Sequence, residues 1–237
     1  PDGIELSGSI GLRADATIAG LATNAGDIQL GNGSTIFLND GAEIGNVTAT
    51  ETGVVDFSGA LTLQGGSRIG DITGSGVVFG NAVEVRPAAE IASVTAYGGS
   101  GIAFAGTVQI GADNSAQFTG KIGDLTASAG SIFFGEQLLL GSGAILGDLS
   151  ADKFIAFADG VELGDSAEMA TGDGLMAGSG IAFGRGLDLR NAAEVGTMTA
   201  NGLILFGDSG GSALETGRDS VVGAIESTGS GIQFLGD

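Results

Sequence analysis

Ile69-Gly70-Asp71-Ile72-Thr73-Gly74-Ser75-Gly76-Val77-Val78-Phe79-Gly80-Asn81-Ala82-Val83-Glu84-Val85 spans the three patterned sections of one period of a repeat that fills the whole chain. Its middle section, apolar-x-Phe flanked by small residues, returns with its second apolar position at Leu6, Leu30, Phe57, Phe79, Phe104, Phe134, Phe157, Phe183, Phe206 and Phe234, at intervals of 22 to 30 residues. An apolar-x-apolar pair follows at four and six residues, as in Val83/Val85, Val108/Ile110, Leu138/Leu140 and Leu187/Leu189. A third section reading Ile-Gly-x-Val/Ile/Leu-Thr follows, six residues later at Ile44–Thr48 and Ile69–Thr73 and, past an insertion, twelve later at Ile122–Thr126. Alternation with period two makes the first two sections strands with Ile and Phe inward. The third has apolar residues three apart, which predicts a bend or bulge at its Gly.

A unit of this size cannot bury its apolar side alone, so it must stack on its neighbours. Stacking in register predicts an all-β, single parallel β-solenoid over residues 1–237, with three strands per coil, three parallel sheets, about ten coils of 22–30 residues and a column of Phe rings up the core. A left-handed hexapeptide coil would repeat one pattern on all three sides. These sides differ, so right-handed coiling is expected.

Composition narrows the function. The chain has 28 Asp and Glu against 8 Lys and Arg, a formal charge of −20, and no Cys, His or Trp. Nucleic acid and anionic membrane surfaces are poor partners for such a chain. Thiolate and imidazole chemistry are excluded, and with them ordinary zinc, haem and iron–sulfur sites. The hydrophobic fraction of 43% still provides a core, and no run approaches the ~20 apolar residues of a membrane span.

Asn46, Asp71, Asp124 and Asp148 recur at one position of the third section, as a calcium ladder would. The Gly-Gly-x-Gly-x-Asp pattern of calcium-binding repeats is missing, so these side chains read as turn residues that bond nearby backbone, and no cofactor is expected. A polysaccharide-cleaving β-helix would need paired carboxylates with basic residues to hold its substrate, and the eight cations are scattered singly. An ice-binding face would show paired Thr ranks, whereas a single interrupted column is present, Thr48, Thr73, Thr95, Thr126 and Thr199. No catalytic, cofactor or metal residue is assigned.

The candidate site is a surface. The outward residue of the first strand reads Glu5, Gln29, Asp56, Val78, Ala103, Phe133, Ala156, Ala182, Leu205, Gln233. Its apolar centre, Val78, Ala103, Phe133, Ala156, Ala182 and Leu205, with Leu139 placed beside Phe133, is expected to be a partner interface or to be covered by the chain itself. Insertions around Gly111–Lys121, at Gly172-Asp173-Gly174 and over Gly207–Asp219 are further candidate contact loops. Both ends fall at first strands without a helical or polar cap, which suits either a segment of a longer solenoid or end-to-end stacking into a fibre.

The cadence Gly-Ile-x-Phe-Gly, apolar-x-apolar, Ile-Gly-Asp/Asn-Val/Leu-Thr-Ala resembles the passenger repeats of bacterial autotransporter surface proteins, in particular rickettsial outer-membrane antigens. The resemblance covers the whole chain and carries over no site residue. It implies a secreted, surface-displayed β-helix in adhesion or a protective coat, with a host or matrix surface as partner; together with the apolar stripe, the uncapped ends and the missing catalytic patterns, the expectation is a non-enzymatic, extracellular or cell-surface solenoid that self-associates. The 237 residues do not include the C-terminal membrane barrel by which such proteins are exported.

Overall fold

The computed structural model describes residues 3–111, 120–207 and 213–235. Among them every regular element is a strand, and every strand pairing is parallel. The chain winds into a β-solenoid of nine complete turns, one for each strand of a nine-stranded sheet, and begins a tenth with Gly231–Phe234. Coils are numbered here by the column that starts at Leu6 and ends at Phe234. The strand segments of each coil are grouped in chain order as first, second and third face, in coil 6 Ile132–Phe134, then Leu138–Leu140, then Ile145–Leu146 with Leu149–Ala151.

Register follows the sequence repeat. Ile132 and Phe134 lie over Ile102 and Phe104 and under Ile155 and Phe157, and Leu138/Leu140 take the same place between Val108/Ile110 and Val161/Leu163. Eight Phe rings, from Phe57 to Phe234, stack in one column with centroids 4.5–5.0 Å apart and planes within 12° of parallel. That spacing is the strand spacing of a sheet, so hydrogen bonding and ring stacking reinforce a single rise per coil. The rings from Phe57 to Phe206 are fully buried among the Ile, Leu and Val of all three faces. Coil 1 is less enclosed, and Ile4, Leu6, Ile10 and Leu12 are only half-buried.

The sheets differ from expectation in one respect. The strands Arg68–Phe79 and Glu90–Phe104 run from the third face through the corner onto the first without a break. The two faces therefore merge into one 22-stranded sheet, and only the second face stands apart. Small residues permit this: Gly74-Ser75-Gly76 and Gly98 to Gly101 turn the corner while their neighbours stay paired.

The bend expected in the third section is present. From coil 5 onward the strand is split there, as into Lys121–Ile122 and Leu125–Ala127. Gly123 occupies the bend because a Cβ at that position would overlap the Ala92 carbonyl oxygen of the coil before. A second corner is uniform in backbone conformation. Among the described residues, the position three after the end of the second strand, Asp15, Gly41, Gly66, Ala88, Gly143, Ser166, Ala192 and Asp219, has φ between 53° and 71° throughout. The left-handed turn is thus imposed by the fold even where a side chain makes it costly.

Candidate interaction face

The first face carries three outward positions per coil: the residue before the inward Ile or Val, the residue between it and Phe, and the residue after Phe. In coil 7 these are Phe154, Ala156 and Ala158. Strand register places Val78, Ala103, Phe133, Ala156, Ala182 and Leu205 in one unbroken column, as the sequence predicts. Phe133 is its most exposed member at 43%. Across coils 4 to 9 no charged residue occupies any of the three positions.

Leu139 is not part of this surface. It lies on the second face between Gln109 and Glu162, beyond the corner Gly135-Glu136-Gln137. Five residues of chain separate it from Phe133, and they turn it onto a different sheet.

Sequence reasoning missed Phe154, which at 52% exposure is more open than Phe133. It also missed Leu203 and Val54, which share Phe154's position in coils 9 and 3. The signal was available: a residue two before an outward position on a strand is itself outward. Both exposed rings lie close to the sheet. The Phe133 ring edge stands 3.3 Å from where a Cβ on Gly135 would be, and the Phe154 ring 3.5 Å from where one on Gly180 would be. Glycine thus leaves room for the rings along the face.

The other two faces carry charged residues among their outward side chains. On the second, Glu162, Asp188 and Glu215 stack in successive coils, and shallow depressions run between them, bordered by Arg185 and Arg190. Arg185 pairs with Asp159 at 3.2 Å. On the third, Glu90 bridges Arg68 at 3.4 Å and Lys121 at 3.5 Å, an exposed ladder of little energetic weight. Among the described residues between Thr17 and Ala200, Tyr97 and Met176 are the exposed large apolar side chains that sit outside the first face, and the Tyr97 hydroxyl donates to the Ala49 carbonyl at 2.8 Å.

The recurrent Asn and Asp of the third section have a defined task. Asn46 Oδ1 accepts the Asp71 N–H and Asp124 Oδ1 accepts the Asp148 N–H, each at 3.0 Å. The Asp148 carboxylate accepts three, from Gly172, Asp173 and Gly174 at 3.1, 2.6 and 3.0 Å. These are turn residues, as read from sequence, but their partners lie one coil onward. The Gly172–Gly174 insertion, a candidate contact loop, has its amides committed to Asp148. Asp113-Asn114-Ser115 and residues 208–212 of the other two insertions lie outside the described residues. Among the described residues no group of three or more Asp or Glu is arranged to hold a metal ion.

The chain therefore offers one uncharged apolar face on an acidic rod. No protein-family model, no curated protein and no solved structure matches it.

Proposed function

We propose that this chain is a non-enzymatic structural solenoid of the bacterial cell surface, acting in a coat or in adhesion and assembling with copies of itself. One observation carries the reading. A chain of charge −20 leaves one long face without charge and sets two phenyl rings on it. Exposed apolar area of this kind on a protein in water marks a contact surface. A stiff parallel rod suits a spacer or layer, since each coil is held by its neighbours along the axis. The extracellular placing rests on the resemblance of the repeat cadence to autotransporter passengers.

Light scattering and negative-stain electron microscopy of the purified chain test the proposal. Concentration-dependent growth in mass, with rods associated in pairs, layers or fibres, is the expected result. Monodisperse single rods at every concentration and salt, or release of reducing ends from a polysaccharide, would overturn it.

A further inference from the structure

We propose that the uncharged first face is a two-fold interface in which two copies pack face to face with their long axes antiparallel. This rests on the self-assembly reading above and specifies its partner and geometry. A two-fold axis lying in the face and along the strands keeps each of the three outward positions opposite itself and reverses the order of the coils. If the axis passes between coils 6 and 7, the centre of the uncharged stretch, both exposed Phe rings meet small residues, and Val78 meets Leu205, apolar on both sides. Phe133 meets Ala156, Phe154 meets Ser131, and Leu203 meets Gly76, while Ala103 meets Ala182. One step further out on either side, Asp56 of coil 3 meets Gln233 of coil 10, so no carboxylate faces another.

The parallel alternative, with the axis along the rod, fails on both counts. It sets Phe133 against Phe133 and Asp56 against Asp56. Self-complementarity of one patch is the requirement of an isologous dimer, and the antiparallel arrangement meets it.

Area supports the same occupant. The overlap of coils 3 to 10 is eight coils at about 4.8 Å by five strand residues at about 3.3 Å, or about 650 Å² per copy. Both copies together bury about 1,300 Å², just inside the range of specific interfaces. Charge sets the conditions. Repulsion between two chains of −20 opposes the pairing, and salt weakens that repulsion.

Cross-linking tests the geometry directly, because the chain contains no cysteine. Ala103→Cys and Ala182→Cys chains are prepared separately and treated with a short bismaleimide, alone and mixed. Three coils, or about 14 Å, separate the two positions within one chain. The mixture is expected to give a covalent dimer, and each variant alone to give at least ~10-fold less. A dimer from Ala103→Cys alone would overturn the antiparallel arrangement. Sedimentation equilibrium of Phe133→Asp provides the second measurement, with circular dichroism as the folding control. The dissociation constant should rise at least ~10-fold. Association that survives Phe133→Asp with no cross-link would refute this face while leaving self-assembly intact. A wild-type chain that never associates would refute the self-assembly reading itself.

Discussion

The Phe column makes a quantitative demand on double mutants. Phe134 touches Phe104 at 4.8 Å and Phe157 at 4.9 Å, and each stacked pair contributes about 0.5–1.5 kcal/mol beyond burial. Phe134→Leu keeps most of the buried apolar surface and removes two ring contacts, so it should cost about 1–3 kcal/mol. Phe157→Leu removes two as well, one of them shared. The double variant loses three contacts rather than four, so its cost should fall short of the summed singles by about 0.5–1.5 kcal/mol. Phe79 and Phe183 share no contact, and their double variant should be additive. Reversible urea unfolding followed by far-ultraviolet circular dichroism measures the six variants against the wild type. Coupling within about 0.3 kcal/mol of zero for the Phe134/Phe157 pair, or equal coupling in both pairs, would refute a continuous stack.

Four further outcomes are expected. Gly123→Ala should destabilise by about 1–3 kcal/mol, because its Cβ overlaps the Ala92 carbonyl oxygen, whereas Gly99→Ala meets open space and should be near neutral; thermal melts separate the two. Asp148→Ala should cost about 1–3 kcal/mol and speed hydrogen exchange at Gly172, Asp173 and Gly174 but not at distant corners. Ala192→Gly should stabilise by up to about 1 kcal/mol, since φ there is 53° and glycine adopts it freely; a lower urea midpoint would contradict the strained-corner reading. Leu139→Ser should leave self-association unchanged at any salt concentration, because that side chain lies on the second face.

The architecture was legible because its signal is positional. Inward Ile and Phe, the apolar pair after them and the bent Ile-Gly-x-Val section keep fixed offsets, and each became a ladder rung. What escaped the sequence lies between coils or around corners. Phe154 was missed by following one outward position per strand instead of both. Leu139 was joined to Phe133 because their spacing along the chain is short, while the corner at Gly135–Gln137 that parts them has no strong marker. Asp148 was identifiable as a turn residue, but its partners stand 24 to 26 positions later and meet it only after the coil closes. The fusion of the third and first faces depends on Gly74–Gly76 and Gly98–Gly101 continuing a ladder through a corner, and glycine alone does not distinguish that from a loop.

The corner side chains also give the rod a direction. Asp27, Asn46, Asp124, Asp148, Asp165 and Asn191 each present a side-chain oxygen to an amide of the following coil. A closed coil thus offers aimed acceptors to whatever polypeptide arrives after it, and winding from the amino end meets a ready template at every step. Trimming coils from the carboxyl end leaves the remaining corner amides of this set their side-chain acceptors, whereas trimming from the amino end strips such an acceptor from the first corner that stays, so protection at these corner amides should fall faster in the second series.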